Sequence, residues 1–249
     1  NANYYNINEI PSLKDKVFNV KEVMDFMMDE RNGAPMRMGN RVVPFIPVRN
    51  ISIPLNKEAM LKNGKVALKD STMQIPDALI VQFKDAYVGR PDISMMNIIA
   101  GIAKDGWNRS LYICNGIPVC GLEGYLKKDG LLNKLVPVVM PNQTFTDIDR
   151  NMELFTKVYT LGKANTNQVY YDEPNKRTFY GYRNDAAAFA IQLLNVGRRE
   201  DALKILDHSM AQISESSFPT DLSYSFEMTN VQMFNAYLAA GDAKKAEAI

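Results

Sequence analysis

The stretch Leu193-Leu194-Asn195-Val196-Gly197, followed by Ala202, determines how the second half of the chain is interpreted. It returns 44 residues later as Tyr237-Leu238-Ala239-Ala240-Gly241, followed by Ala246. In both copies an apolar helix end meets a glycine, and a small alanine follows where a second helix would approach the first closely. This is the pattern of tetratricopeptide-like repeats, whose usual period is about 34 residues. The sequence therefore predicts a helical repeat region, with an insertion around Pro219 accounting for the longer period.

Helical periodicity continues on the N-terminal side of this pattern. From Arg183 onward the apolar residues follow helical spacing, and before it we expect a polar, aromatic loop that contains Tyr180 and Tyr182. One and a half repeat units are fewer than a free-standing solenoid needs. We therefore expect the repeats to pack on the rest of the protein or to continue beyond Ile249.

The first part of the chain has a different character. Residues 78–83 form a continuous apolar run of strand length, which predicts a central strand. A helix is predicted over 89–106 and a buried strand over 110–114. The apolar positions of that helix are Met95, Ile98, Ile99 and Ile102. The predicted fold class is therefore α+β: a small α/β unit with a mixed sheet over residues 1–142, followed by an all-α tetratricopeptide-like region over residues 143–249.

Shorter signals define the remaining elements. Asn19, with Glu22 three residues later, forms a capping box and predicts a helix through about Glu30. Prolines in the runs 41–46 and 51–55 predict strands at a sheet edge or at bulges. The other predictions are a short helix capped by Asn56, a helix over 121–128, a strand over 135–140, and a helix from Thr146 or Asp147 to about Leu161.

The composition excludes several classes of function. The chain has 249 residues, of which 46% are hydrophobic and 23% charged, with 29 basic and 28 acidic side chains and a net charge of +1. This balance excludes a disordered chain and a dedicated nucleic-acid binder. Because His208 is the single histidine, most metal sites and histidine-based triads are also excluded, so we predict no metal and no cofactor.

No stretch approaches the roughly 20 apolar residues of a membrane helix. The chain begins at Asn1 without an initiator methionine, and the helix before Ile249 has barely begun. We therefore expect a piece of a longer polypeptide.

The two cysteines have no recognisable functional spacing. Cys114 and Cys120 match neither a CxxC redox pair nor half of a zinc site. Cys114 lies in an apolar run and is predicted to be a buried small hydrophobe. A disulfide between the two is the alternative, and it requires an oxidising compartment.

The aromatic residues supply the candidate binding sites. Aromatic rings with polar neighbours occur around the only tryptophan and around residues 170–184, where they would stack on sugar rings or hold a peptide. The candidate binding residues are Trp107, Arg109, Tyr171, Tyr182, Arg183 and Asn184. The alternative is that these rings pack the repeat helices onto the α/β unit, and this is the favoured interpretation.

Several of these segments together resemble a known family. Residues 104–112, KDGWNRSLY, resemble the NW-x-RPIYF signature of a family of bacterial multi-pass membrane proteins of unknown function related to protein O-mannosyltransferases. Ser110 stands where that family commonly has proline. Further similar blocks lie at residues 23–26, 46–54, 169–173, 182–184 and 197–207.

The resemblance implies an accessory role. Such proteins carry an N-terminal bundle of membrane helices, whose loops hold the catalytic acids, and a soluble C-terminal region outside the cytoplasm. This chain would be that region, on the periplasmic side of the bacterial inner membrane, tethered through its own N-terminal membrane domain. It would bind or position an acceptor protein, peptide or glycan, and no catalytic residue is assigned in it.

Two other functions remain open from the sequence. The chain is alternatively a stand-alone protein–protein interaction module that uses the groove of the helical repeats. A third alternative is an independent enzyme whose catalytic residues the sequence does not identify.

Overall fold

The chain folds into two compact units with separate cores. Unit 1 comprises residues 1–127 and 133–143, and unit 2 comprises residues 128–132 and 144–249. The computed structural model describes residues 4–14, 16–35, 42–62, 75–117, 119, 121–136, 145, 147–214, 217–218 and 227–249. Within these ranges the chain is α+β, with an α/β region followed by a helical region.

Unit 1 contains most of the short strands and three helices. The strands are β1 (Tyr4–Asn6), β2 (Phe18–Asn19), β3 (Ala34–Pro35), β4 (Val42–Val43), β5 (Asn50–Pro54), β6 (Ala78–Gln82), β7 (Tyr87–Gly89), β8 (Tyr112–Ile113), β9 (Leu126–Asp129) and β10 (Leu132–Leu135). The helices are α1 (Val20–Met28), α2 (Lys57–Lys62) and α3 (Arg90–Lys104). The tip of the β9–β10 hairpin, residues 128–132, belongs to unit 2.

The core sheet of unit 1 has the order β2-β5-β6, with β5 parallel to β2 and antiparallel to β6. The predicted arrangement was wrong in two respects. Strand β5 lies in the centre although it contains proline, because Pro54 occupies its last position, while Ile51 and Ile53 are fully buried. Strand β6, predicted to be central, pairs with β5 alone among the described strands, and Ile80 on its other face is 48% exposed.

Local capping signals correctly predicted the helices of unit 1. The amide of Asn19 donates to the Glu22 carboxylate at 2.9 Å, so the predicted capping box starts α1. The side chain of Asn56 accepts from the Ala59 amide at 3.0 Å and caps α2. Helix α3 ends at Lys104, and the chain then turns at Gly106, whose φ of +65° favours glycine.

The buried face of α3 is rotated relative to the prediction. Met96, Ile99 and Ile102 are buried, whereas Met95 is half-buried and Ile98 is 55% exposed. The sequence placed Ile98 in the core because isoleucine at helical spacing normally marks the buried side. Its exposure leaves an apolar side chain on the surface of unit 1.

Two further predictions for unit 1 were wrong. Residues 121–128 form no helix: a 3₁₀ turn over Glu123–Tyr125 leads into strand β9. Gly130, at φ +66°, then turns the chain into β10, so a hairpin takes the place of the helix. Cys114 is an exposed free thiol rather than a buried residue, because it follows the two-residue strand β8 at the surface. Cys120 and the predicted strand beyond Val136 lie outside the described residues.

The regular elements of unit 2 in the described ranges are helices, apart from the hairpin tip. Its helices are α4 (Ile148–Glu153), a π-helical turn (Leu154–Val158), α5 (Glu173–Asn195), α6 (Arg199–Ala211), α7 (Glu227–Ala239) and α8 (Ala243–Ala246). The predicted capping residue Asp147 accepts from the Arg150 amide at 3.0 Å, whereas Thr146 lies outside the described residues.

Helix α5 begins ten residues before the predicted start at Arg183. Asp172 caps it by accepting from the Asn175 amide at 3.1 Å, and Pro174 lies in its first turn. Tyr180 and Tyr182 are therefore helical, not part of a loop.

The helix–glycine–helix arrangement occurs twice, 44 residues apart. Gly197 and Gly241 have φ values of +78° and +77°, and each ends a helix in the left-handed conformation. In both turns the residue after the glycine donates its amide to the carbonyl five residues earlier, a Schellman-type cap, at 2.8 Å for Arg198 and 3.0 Å for Asp242. Ala202 and Ala246 are both buried.

Candidate functional site

An apolar groove lies on the surface of unit 1. It lies between β1, the first turns of α3, and the segment from β8 to Ile117, and it encloses about 890 Å³. The residues that matter for its chemistry are Tyr4, Arg90, Asp92, Ile98, Tyr112 and Ile117. Pockets of this size are typical of sites that hold small molecules or peptide segments.

Two tyrosines from different strands line the groove. Tyr4 is 57% exposed, and strand pairing with β7 places it opposite Gly89. Its ring packs edge-to-face against Tyr87, with the ring centroids 5.0 Å apart. Tyr112 is 40% exposed, and it pairs with Lys134 of β10. The contact with Tyr87 orients the Tyr4 ring, and strand pairing positions Tyr112. Both side chains remain partly exposed, so a ligand can contact them.

The groove also has an aliphatic surface. Ile98 and Ile117 are both more than half exposed, and Met95 and Ile113 lie beside them. Apolar side chains clustered on a surface are characteristic of interaction sites. Covering this apolar surface with the apolar groups of a ligand is therefore more favourable than leaving it in contact with water.

Polar groups are concentrated at the N-terminal end of α3. The Asp92 carboxylate accepts from the Gly89 amide at 3.2 Å and so caps its own helix. The Ser94 hydroxyl donates to the Arg90 carbonyl at 3.0 Å. Arg90 itself is exposed and contributes a positive charge to the groove. The groove thus combines the guanidinium of Arg90, the carboxylate of Asp92, two tyrosine hydroxyl groups and several aliphatic side chains.

Two of the predicted binding residues lie in unit 1 outside this groove lining. Trp107 belongs to the core, with 3% of its surface exposed, and its indole nitrogen donates to the Pro54 carbonyl at 2.8 Å. Arg109 is exposed, and its guanidinium lies 3.5 Å from the Asp105 carboxylate. The structure therefore gives Trp107 a packing role, and a binding role for the pair stays a prediction.

The other four predicted residues lie in unit 2, three of them together on α5. The side chains of Tyr182 and Arg183 are buried in the interior of unit 2, and Asn184 is half-buried. Arg183 donates to the Ile213 and Phe218 carbonyls at 3.3 and 3.4 Å. Burial raises the pKa of Tyr182 to about 12, because the phenolate would lose its hydration. These contacts hold α5 in its unit.

Tyr171, the fourth predicted binding residue of unit 2, borders a hollow on the surface of that unit. Its ring packs against Phe179 and Phe218, with centroids 5.1 Å away in each case. Next to it, Tyr170 is 90% exposed, and the surrounding hollow, which Lys176 also lines, encloses about 450 Å³. This hollow is smaller than the groove of unit 1, and Tyr170 and Tyr171 are its aromatic residues.

A polar cluster anchors the hairpin tip within unit 2. Lys128 pairs with Asp185 at 2.8 Å, and the buried Asp129 carboxylate accepts from Arg150 at 2.8 Å. The Gly130 amide donates to the fully buried Asn151 side chain at 2.7 Å. These hydrogen bonds and ion pairs account for the position of the hairpin tip.

The residues that line the groove are not among the predicted binding residues. The sequence pattern predicts no element around Tyr4, and it assigned Ile98 to the core. Two consecutive tyrosines, Tyr4 and Tyr5, were the available signal for a strand here, since neighbouring side chains of a strand point to opposite faces. The strand pairing of Tyr4, however, is with Gly89, about 85 positions away in the sequence. In the described part of the chain there is no group of three or more His, Cys, Asp or Glu residues that would hold a metal ion.

In the part of the chain that the structure describes, the fold is α+β, with an apolar groove in the α/β region and a helical region after it. The chain belongs to the family described as TMEM260-associated domain 2, whose profile matches residues 2–153. This matched range contains every residue of the groove. No curated protein and no solved structure matches the chain. No helix in the described ranges is both long and apolar enough to cross a membrane.

Proposed function

We propose that this chain is an extracytoplasmic accessory domain of a membrane glycosyltransferase-like protein, and that its groove in unit 1 binds or positions the acceptor. The observation that carries the proposal is the groove itself, which is lined by two partly exposed tyrosine rings and by exposed isoleucines. The groove lies wholly inside the family-matched range, which associates it with the domain rather than with the helical repeats.

The chemistry of the groove favours a polypeptide acceptor over a glycan. Ile98 and Ile117 offer no hydrogen bonds, whereas a sugar ring presents hydroxyl groups around its edge that need partners. A peptide satisfies both parts of the site, because apolar side chains cover the isoleucines while backbone or charged groups meet Arg90 and the phenols. The acceptor in this proposal is therefore a segment of a protein chain.

The remaining parts of the proposal rest on the sequence resemblance. It supports a relation to protein O-mannosyltransferases, a location on the periplasmic side of the inner membrane, and attachment to an N-terminal membrane domain. The repeated glycine turns at Gly197 and Gly241 support the tetratricopeptide-like assignment of the helical region. Bond-forming chemistry is assigned in this proposal to the membrane part.

Binding by groove variants tests the proposal. Random 12-residue peptides are selected on the wild-type chain, and the affinity of enriched peptides is measured by fluorescence anisotropy. Tyr112→Ala and Ile98→Asp are expected to weaken binding by about tenfold or more, since central aromatic and aliphatic contacts dominate such interfaces. Tyr170→Ala is the matched control, because it removes an exposed tyrosine of unit 2.

Two results contradict the proposal. If enriched peptides bind Tyr112→Ala and Ile98→Asp as tightly as the wild-type chain, the groove is not the binding site. If mannose oligosaccharides bind and lose affinity in the same variants while no peptide is enriched, the groove binds glycans and the polypeptide assignment is wrong.

The alternative function is a protein–protein interaction module that uses the helical repeats. One observation favours it: helix α7 exposes the apolar side chains of Val231, Phe234 and Leu238. Mapping the contacts of an enriched peptide separates the two functions, because the groove and this helix lie in different units.

A further inference from the structure

The two charged side chains that line the groove of unit 1 differ in what they contact. The Asp92 carboxylate accepts from the Gly89 amide at 3.2 Å, so its negative charge serves to cap α3. Arg90 is exposed, and its guanidinium forms no ion pair in the part of the chain that the structure describes. A second cation, the Lys134 ammonium, lies 6.0 Å from the centroid of the Tyr112 ring, which lines the same groove. The charge that a ligand meets in this groove is therefore positive.

The groove-lining residues of α3 are spread along the helix from its first residue. Arg90 begins the helix, Met95 lies further along it, and Ile98 lies further still. At a rise of about 1.5 Å per residue, Met95 is about 7.5 Å and Ile98 about 12 Å from Arg90 along the helix axis. The cation thus lies at one end of the helical wall, and the apolar side chains lie at two distances from it.

An extended polypeptide reproduces this spacing. Its residues rise about 3.3 Å each and its side chains alternate between two faces, so the first residue lies about 6.6 Å from the third and about 13 Å from the fifth on one face. Strand β8, which supplies Tyr112 and Ile113 to the groove, pairs with β10 alone among the described strands. An outer strand beside a groove favours a ligand in the extended conformation.

We propose that the groove selects an acidic peptide in which an Asp or Glu side chain meets Arg90, while apolar side chains two and four positions away in the peptide meet Met95 and Ile98. This inference rests on the proposed function, because it specifies which polypeptide segment the groove binds. A guanidinium binds a carboxylate through two parallel hydrogen bonds, which fixes the position of the acidic residue. Apolar side chains at the other two positions then cover the exposed aliphatic surface.

Peptide selection on charge variants of Arg90 tests the proposal. Random 12-residue peptides are selected on the intact wild-type chain and on Arg90→Glu, and enriched peptides are synthesised with blocked termini. Peptides enriched on the wild-type chain are expected to share an Asp or Glu with apolar residues two and four positions away. Peptides enriched on Arg90→Glu are expected to carry Lys or Arg in place of that acidic residue.

Fluorescence anisotropy then measures the contribution of the acidic residue. Replacing it in an enriched peptide by its amide is expected to weaken binding to the wild-type chain by about tenfold and to leave binding to Arg90→Gln unchanged. Arg90→Lys is expected to bind with intermediate affinity, because lysine keeps the charge and loses the paired hydrogen bonds. Lys84→Gln is the matched control, since Lys84 is exposed in unit 1 and lies outside the groove lining.

Two outcomes overturn the selection of an acidic peptide and leave the proposed function standing. In the first, enriched peptides lose affinity for Tyr112→Ala but bind Arg90→Gln as tightly as the wild-type chain. In the second, Lys84→Gln weakens binding as much as Arg90→Gln does, so that net charge rather than Arg90 attracts the peptide. Apolar residues at other distances from the acidic residue would contradict the extended arrangement.

A different outcome rejects the proposed function as well. If neither Tyr112→Ala nor Ile98→Asp changes the affinity of any enriched peptide, the groove binds no peptide, whatever the charge at Arg90.

Discussion

At the scale of single residues, Gly130 occupies a position that requires glycine for two separate reasons. Its φ of +66° is strained for any other residue, and its amide donates to the buried Asn151 side chain at 2.7 Å. A β-carbon added there would collide with the Tyr159 hydroxyl, which itself accepts from the Leu131 amide at 3.2 Å. The hairpin tip therefore requires glycine both for its backbone conformation and for the space it leaves.

Comparing Gly130→Ala with Gly162→Ala separates the backbone requirement for glycine from the requirement for space. Gly162 has a φ of +59° with no atom within 4 Å of the added β-carbon, so Gly162→Ala carries only the backbone cost, about 1 kcal/mol. Gly130→Ala is expected to lower the free energy of unfolding by roughly 2 kcal/mol more, because the collision adds an overpacking cost. Urea denaturation of both variants measures the difference.

The double variant Gly130→Ala with Tyr159→Phe is the internal check. Removing the hydroxyl relieves part of the collision, so the double variant is expected to be more stable than the two separate losses predict. Equal losses for Gly130→Ala and Gly162→Ala would show that the tip has room for a methyl group.

Trp107 shows why a single residue was difficult to assign from sequence. A lone tryptophan with polar neighbours is typical of both a binding platform and a core anchor. The deciding contact is the hydrogen bond of its indole nitrogen to the Pro54 carbonyl, 53 residues away in sequence, which no local pattern contains. Its φ of +60°, directly after Gly106, is uncommon for a bulky residue.

At the scale of elements, helix α5 carries a buried phenol that makes stability depend on alkaline pH. Tyr182 is 3% exposed, and its pKa is raised to about 12 from the ordinary 10.0 by burial, with a smaller contribution from Tyr159. Below pH 10 the phenol is protonated in both folded and unfolded chains. Between about pH 10 and 12 the unfolded chain loses this proton while the folded chain keeps it, so stability falls as pH rises.

The Tyr182→Phe variant removes this contribution. The free energy of unfolding of the wild-type chain is expected to fall more steeply between pH 10 and 12, with Tyr182 adding up to about 1.4 kcal/mol per pH unit. Denaturant unfolding at stepwise pH measures both slopes, and Tyr170→Phe, at an exposed site, is the control. Parallel curves for the wild-type chain and Tyr182→Phe would contradict the assignment of the buried phenol.

Elements that carry their own start and stop signals could be predicted from the sequence. The Asn19–Glu22 capping box and the glycines at 106, 197 and 241 act within a few residues, so the pattern contains the cause. Strand order could not be predicted in this way. Strand β5 lies in the centre of its sheet because it pairs with both β2 and β6, and these pairings join parts of the chain that are distant in sequence.

The groove could not be predicted because non-local contacts form it. Its tyrosines come from β1 and β8, and strand pairing with β7 and β10 exposes them. The rotation of α3 that leaves Ile98 outside is set by tertiary packing of Met96 and Ile99. The sequence predicted aromatic rings beside charged side chains as the binding chemistry, and this stays a prediction.

At the scale of the whole molecule, the two units carry different surfaces. Unit 1 holds the groove, which lies inside the family-matched residues 2–153. Unit 2 holds the two helix–glycine–helix turns and the exposed apolar side chains of α7. Each unit has its own hydrophobic core, so a substitution on one surface leaves the other core intact.

The central claim is that the groove of unit 1 binds the acceptor, and methyl NMR of the intact chain with an enriched peptide tests it most directly. The proposal predicts shifts at the methyl groups of Ile98, Ile113 and Ile117, which line the groove, and none at Val231 and Leu238 on α7. Shifts confined to Val231 and Leu238 would contradict the claim and assign binding to the helical repeats.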